Sequence, residues 1–186
     1  CIFICIHCFQ MKKASLSVNR SGIHGFGVFS RTKIKKGAFI AELNGSRIVY
    51  ETTIHGQSNR YENWIGIGKN TWIDPVDEFQ YLNHSCKPNA GFKGARTLKL
   101  YALQDIEPNT EITIDYATTE EDPDYCFENM EPEHPYHRRF VGPVQSLPRD
   151  VYERYLPFIP THFKKVYENA VLLKNNGSQT VHNKSV

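Results

Sequence analysis

Two glycines lie two positions apart in residues 20–29, at Gly25 and Gly27. Because glycine has no β-carbon, the backbone at such positions can approach a bound ligand closely and can adopt positive φ. The chemistry that this pattern favours is ligand binding by main-chain groups. An ordinary turn explains the pair equally well. The dinucleotide-binding pattern does not, because no G-x-G-x-x-G opens a helix after a strand.

A second polar segment, residues 83–89, reads Asn-His-Ser-Cys-Lys-Pro-Asn. It contains His84 and Cys86, two residue types that form nucleophilic pairs in enzymes. Residues so close in sequence rarely face one another productively, and no third group that would orient the histidine is evident. A polar turn between strands, with a buried cysteine, is the simpler interpretation.

The third segment, residues 111–116, reads Glu-Ile-Thr-Ile-Asp-Tyr and alternates apolar with polar side chains. This pattern predicts an ordinary β-strand that ends at Tyr116.

In their order and separation, however, the three segments together resemble the SET-domain family of protein-lysine methyltransferases over residues 15–118. The resemblance is to its small, stand-alone, bacterial-like members. It implies a mostly β fold, the SET-domain β-clip, with a pseudoknot-like C-terminal segment and short C-terminal helices.

The resemblance also implies S-adenosyl-L-methionine as the cofactor and assigns its contacts. The backbone from Ile23 through His24, Gly25 and Phe26 to Gly27 would contact the cofactor. The Asn83 side chain would bind the cofactor's amino-acid end, and the backbone of His84 would meet the adenine.

Tyr116 would be the catalytic tyrosine, close to the transferred methyl group and the target amine. Tyr81 and Phe79 would lie near the channel that admits the lysine. Ile114 stands where many relatives have an aromatic residue that influences how many methyl groups are added. Because its aliphatic side chain alters that space, the sequence assigns neither mono-, di- nor trimethylation.

Methyl transfer of this kind is an in-line displacement in which an amine attacks a methyl group on a positively charged sulfur. The attacking lysine must first lose a proton, although its pKa in water is about 10.4. An apolar channel and the nearby positive sulfur both disfavour the ammonium form. Alignment, more than acid–base groups, then supplies most of the catalysis.

Two features depart from the family pattern. Phe26 stands where tryptophan is frequent. Many relatives also follow the catalytic tyrosine with a zinc-binding cysteine cluster, whereas this chain keeps only Cys126, followed by His134 and His137. This spacing is a poor match to a zinc site, so we expect no metal.

The hydrophobic pattern predicts about eight short strands within residues 15–118, including a hairpin around Lys69 and Asn70. Helices are predicted over residues 148–156 and 161–174, in a region that spans 119–174 and either closes the lysine channel or packs on the core. Asn44-Gly45 predicts a turn, and Gly177 is expected to limit the last helix. Residues 175–186 are expected to be disordered.

The chain has 186 residues, a formal net charge of +2 and five cysteines, three of them in the first eight residues. The near-neutral charge gives no reason to expect direct nucleic-acid binding. The odd cysteine count argues against a disulfide framework and favours a cytoplasmic setting, with delivery to another cell or to the nucleus left open. Residues 1–10 are too short to cross a membrane, and we expect them to be an extension upstream of the domain or foreign to it.

The sequence therefore predicts a methyltransferase acting on a protein or peptide that carries a target lysine, histones being one such substrate class. Two other functions stay open. The chain could be a SET-derived module that binds a partner without turnover, which the missing cysteine cluster and Ile114 would suit. It could also methylate a small-molecule amine.

Overall fold

The computed structural model describes residues 12–49, 63–128 and 140–182. The extension expected at residues 1–10 lies outside these ranges. The described fold is mostly β, as expected. Its strands are β1 (Leu16–Arg20), β2 (Phe26–Ser30), β3 (Phe39–Glu42), β4 (Gly45–Val49), β5 (Ile65–Gly68), β6 (Thr71–Pro75), β7 (Asn83–His84), β8 (Ala90–Lys93), β9 (Lys99–Ala102), β10 (Glu111–Ile114), β11 (Phe127–Glu128) and β12 (Phe140–Val141). Its α-helices are α1 (Arg149–Tyr155) and α2 (Thr161–His182).

The sheet that matters for function has the strand order β1-β2-β10-β7. Strand β10 runs antiparallel to β2 and parallel to β7. A strand late in the chain therefore lies between two earlier ones, which is the pairing that the pseudoknot-like expectation requires. The other described sheets have the orders β3-β9-β8, β4-β6-β5 and β11-β12.

Strand β10 occupies this central position because its apolar side chains are buried there. Ile112 and Ile114 are almost fully buried in the larger of two hydrophobic clusters. Strand β7 is only two residues long, and it pairs Asn83 with Thr113 and His84 with Ile114. The pairing sets the end of β10 beside the polar segment of residues 83–89.

The second hydrophobic cluster belongs to the C-terminal region and packs on the strands. It combines Cys86 and Ala117 with buried side chains of α1 and α2, including Tyr155 and Phe163. The fit is close at Gly66 in β5, where a β-carbon would lie 2.1 Å from the Thr119 carbonyl oxygen. Packing on the core, one of the two roles expected for this region, is observed, and closure of the lysine channel stays a prediction.

The predicted hairpin is present as β5 and β6, joined by Lys69 and Asn70. Asn44 follows β3 closely, but β4 pairs with β6 instead of folding back on β3. Strands β4, β7, β8, β11 and β12 were not predicted. Strands β4 and β8 contain glycine, and the other three have only two residues each, which is too short to show an alternating pattern.

Helix α1 matches its predicted position, whereas α2 begins at Thr161 as predicted but continues to His182. Helix α2 therefore continues past the limit expected at Gly177, and the disorder expected over residues 175–186 stays a prediction. One internal glycine costs only about 1 kcal/mol relative to alanine, which is too little to end a long helix by itself. Residues 183–186 lie outside the described ranges.

No helix within the described ranges is long and apolar enough to cross a membrane.

Candidate active site

The side chain of Asn83 connects the glycine-containing loop to the central sheet. Its Nδ2 atom lies 2.9 Å from the Phe26 carbonyl oxygen and 3.3 Å from that of His24. It also lies 2.7 Å from Glu111 Oε1 and 3.2 Å from Ser21 Oγ. The amide has two hydrogens, which these acceptors share. Asn83 is buried, so these bonds fix the loop against β7 and β10.

The loop itself is shaped by Ser21. Its hydroxyl contacts the carboxyl group of Glu111 at 2.9 Å and accepts hydrogen bonds from the backbone N–H groups of Ile23 at 2.8 Å and His24 at 3.3 Å. The Ser21 N–H donates to the Gly25 carbonyl oxygen. Gly25 has a φ of +49°, in the left-handed region that favours glycine. The positive φ expected in this loop is confirmed at Gly25.

Gly27 serves a different purpose from Gly25. It is buried in β2, and a β-carbon there would lie 2.1 Å from Glu111 Oε1. The missing side chain therefore makes room for the Glu111 carboxyl group, which in turn bonds Asn83. The reason for glycine at this position is an intramolecular contact that the sequence did not predict.

Tyr116 follows directly after β10 and Asp115, and it is held at both its ends. Its hydroxyl donates to the Leu82 carbonyl oxygen at 2.9 Å, and its backbone N–H donates to His84 Nδ1 at 3.2 Å. Because Nδ1 accepts, the His84 ring carries its proton on Nε2, which faces the Cys86 sulfur at 3.4 Å. Burial raises the pKa of the Tyr116 phenol to about 12.

The carboxyl group of Asp115 supports the turn that contains Tyr116. One oxygen accepts a hydrogen bond from the Ala117 backbone N–H at 3.1 Å. The other accepts one from the Tyr155 hydroxyl, which is 3.0 Å away and belongs to helix α1. Asp115 is 1% exposed, so both contacts are shielded from water.

The remaining predicted site residues divide into two groups. Tyr81 lies beside the loop, with its ring centroid 5.8 Å from that of Phe26, which is 44% exposed. Phe79 and Ile114 belong to the larger hydrophobic cluster, although Ile114 pairs with His84 at the end of β10. The lysine channel suggested for Tyr81, Phe79 and Ile114 stays a prediction.

Four contributors were not assigned a role from sequence: Ser21, Glu111, Asp115 and Tyr155. The first three stand inside the motif segments, so their place in those motifs was a usable signal. Tyr155 had none, because it lies 40 residues beyond Asp115 in a helix of ordinary pattern.

The donor set suits an adenosyl amino acid better than a metal. Asn83 Oδ1 has no hydrogen-bond partner among the described residues. The Nδ2 atom of the same amide lies 3.3 Å from the carbonyl oxygen of His24, and a β-carbon on the next residue, Gly25, would meet open space. Such a combination of main-chain groups and one amide fits a zwitterionic ligand. The described residues contain no group of three His, Cys, Asp or Glu side chains placed to hold a metal. His134 and His137 lie outside them.

A family model described as SET domain matches residues 25–117, which is half of the chain. Among curated proteins, the chain is similar to H3 lysine-4 specific histone-lysine N-methyltransferases. It is 31% identical to that of Candida albicans over 119 residues, 56% of this chain and 11% of that protein. It is 35% identical to that of Chaetomium globosum over 124 residues, 58% of this chain and 11% of that protein. The chain thus spans about a tenth of the length of these relatives.

Solved structures give a looser match. A proposed histone methyltransferase from Plasmodium falciparum has a TM-score of 0.46 and 28% identity, covering 56% of this chain and 94% of that one. The ctPRC2 complex bound to S-adenosylmethionine has a TM-score of 0.49 and 20% identity, covering 58% of this chain and 16% of that one. The match to the family model includes part of the first motif segment, from Gly25 onward, and the whole of the other two up to Tyr116, and by it this chain belongs to the SET-domain family.

Proposed function

We propose that this protein is an S-adenosylmethionine-dependent protein-lysine methyltransferase. One observation carries the proposal. The Asn83 amide binds the carbonyl groups of the glycine loop on one side, and the neighbouring His84 ring binds the Tyr116 backbone on the other. A loop suited to cofactor binding and a buried phenol are thereby joined through two adjacent residues.

The bound cofactor would supply a methyl group on a positively charged sulfur. The residues that would hold it are the main-chain groups from Ile23 to Gly27, the carbonyl oxygen of the Asn83 side chain and the backbone of His84. Asn83 Oδ1 suits an ammonium group, since it is an acceptor and its own Nδ2 is already engaged with the loop. The Glu111 carboxyl group keeps Asn83 in that orientation.

Tyr116 would orient the lysine amine. Its hydrogen is directed at the Leu82 carbonyl, so its oxygen acts as an acceptor toward an amine N–H. With a pKa of about 12 the phenol is neutral at physiological pH. A neutral acceptor aligns the amine without stabilising the ammonium form, which would block attack.

The relatives' names support a histone H3 lysine as the first substrate to test. The chain is about one third identical to these relatives, and the match spans about a tenth of their length. The substrate of this chain is therefore a proposal.

The test is incubation of the full chain with methyl-labelled S-adenosylmethionine and recombinant histone H3. We expect label on H3, and a loss of roughly a hundredfold in kcat for Tyr116→Phe, because misalignment of a reacting group by about 1 Å costs that much. Tyr152→Phe is the matched control, since Tyr152 is also a buried tyrosine whose pKa burial raises to about 12. Undiminished transfer by Tyr116→Phe would contradict the proposal. Binding of H3 without transfer would favour the SET-derived binding module.

A further inference from the structure

We propose that Tyr155, which lies beyond the segment matched by the family model, is a positioning residue for the catalytic tyrosine. It would act through Asp115 and complete the active site from helix α1. The inference rests on the proposed function, because it concerns the same tyrosine, Tyr116. It assigns a role in methyl transfer to the C-terminal region.

The first step is the contact between Tyr155 and Asp115. The Tyr155 hydroxyl lies 3.0 Å from Asp115 Oδ2 and 3.2 Å from the Cys86 carbonyl oxygen. Tyr155 is 4% exposed and Asp115 is 1% exposed, so water does not compete for either group. A hydrogen bond to a buried carboxylate is stronger than one between neutral groups, so the Tyr155 hydroxyl is one of the groups that fix the position of the Asp115 side chain.

The second step leads from Asp115 to Tyr116. The other carboxyl oxygen of Asp115 accepts the Ala117 N–H, and its backbone carbonyl accepts the Thr118 N–H at 3.0 Å and the Thr118 hydroxyl at 2.7 Å. These three bonds form the start of the 3₁₀ turn Tyr116–Thr119. Tyr116 is the first residue of that turn, so the position of Asp115 sets the direction of its side chain.

The third step concerns the contacts that hold Tyr116 at β7. Tyr116 is bonded to His84 and Leu82, which belong to or adjoin β7. The phenol is therefore held between a strand on one side and, through Asp115, a helix on the other. If the Asp115 support were lost, the turn could shift relative to β7, and the phenol oxygen would move with it.

The chain offers a matched comparison in Tyr152, one turn earlier on the same helix. Tyr152 is equally buried in the same hydrophobic cluster and stacks on Tyr167 with ring centroids 3.7 Å apart. Its hydroxyl donates to Glu168 at 3.4 Å, on α2. Removing this hydroxyl perturbs the helix packing without touching Asp115.

The experiment compares Tyr155→Phe and Tyr152→Phe in the full chain, with recombinant histone H3 and S-adenosylmethionine as substrates. For Tyr155→Phe we expect kcat to fall about tenfold, since a modest misalignment suffices. KM for S-adenosylmethionine should stay within about twofold, because the Tyr155 hydroxyl contacts Asp115 and the Cys86 carbonyl, which are not among the groups proposed to hold the cofactor. Hydrogen exchange of the Ala117 amide should become about tenfold faster, because its acceptor loses support. Tyr152→Phe should leave all three quantities near their wild-type values.

Three outcomes would overturn the inference. The first is unchanged kcat in Tyr155→Phe, and the second is an equal loss of kcat in both variants, which would indicate general packing. The third is unchanged exchange of the Ala117 amide, a measurement that needs no turnover. Failure of the proposed function is recognised separately, because the wild-type protein itself would then transfer no methyl group.

Discussion

The contact between Gly27 and Glu111 gives a quantitative prediction for cofactor binding. In Gly27→Ala the new β-carbon would lie 2.1 Å from Glu111 Oε1 and 2.6 Å from its carboxyl carbon. Ordinary contact is about 3.4 Å, so the carboxyl group must retreat by roughly 1.3 Å. Its 2.7 Å contact with Asn83 and its 2.9 Å contacts with Ser21 cannot both survive such a shift.

The expected effect follows from the strength of those bonds. A hydrogen bond to a charged group contributes roughly 1.5–3 kcal/mol, but Glu111 is partly exposed and water replaces part of what is lost. We expect the poorer orientation of the loop and of Asn83 to weaken the free energy of cofactor binding by about 1.4 kcal/mol. This change corresponds to a tenfold rise in Kd.

The assay is calorimetric titration with S-adenosylmethionine. Gly22→Ala is the matched control, because it lies in the same loop and a β-carbon there would meet no atom within 4 Å. We expect Kd to rise about tenfold in Gly27→Ala and to stay within about twofold in Gly22→Ala. An unchanged Kd in Gly27→Ala would refute the reasoning that Glu111 orients the cofactor site.

Two further predictions concern stability. Phe163→Ala should cost about 3–5 kcal/mol in denaturant unfolding, because the ring is 1% exposed and packs against Gly66; a cost below about 1 kcal/mol would contradict the packing described for α2. Tyr116 has a folded pKa of about 12 against an ordinary value of 10, so its neutral form is favoured by folding, and the unfolded chain loses the proton first. The stability that this gives is complete below pH 10 and is lost between pH 10 and 12, by up to about 2.7 kcal/mol. The free energy of unfolding should fall less steeply between pH 10 and 12 for Tyr116→Phe than for wild type, and equal slopes would contradict the burial of the phenol.

The strand content was largely predictable from local sequence, whereas the topology and the centre of the site were predicted from the resemblance of the three motif segments to a known family. Alternating residues marked β10, and the glycine pair indicated a loop with positive φ, which is found at Gly25. The three motif segments do lie together, with the glycine loop bonded to Asn83 and the His84 ring 5.2 Å from that of Tyr116. The roles of these residues in binding and catalysis stay predictions.

The supporting contacts were not predictable, because they join residues far apart in the chain. The parallel pairing of β7 with β10 depends on tertiary packing, since two residues carry no strand pattern of their own. The fit of Glu111 against Gly27 is a matter of about an ångström and leaves no trace in residue spacing. The bond from Tyr155 to Asp115 crosses from a helix to the end of a strand, and an isolated tyrosine in a helix is typical of any hydrophobic core.

The most direct test of the central claim is the chemical identity of the product. Histone H3 incubated with the full chain and S-adenosylmethionine should be digested and analysed by mass spectrometry. The account predicts methyl groups on a lysine side chain in the wild-type reaction and their near-absence with Tyr116→Phe. Methylation confined to another residue type, or no methylated product from a folded wild-type protein that binds both substrates, would contradict it.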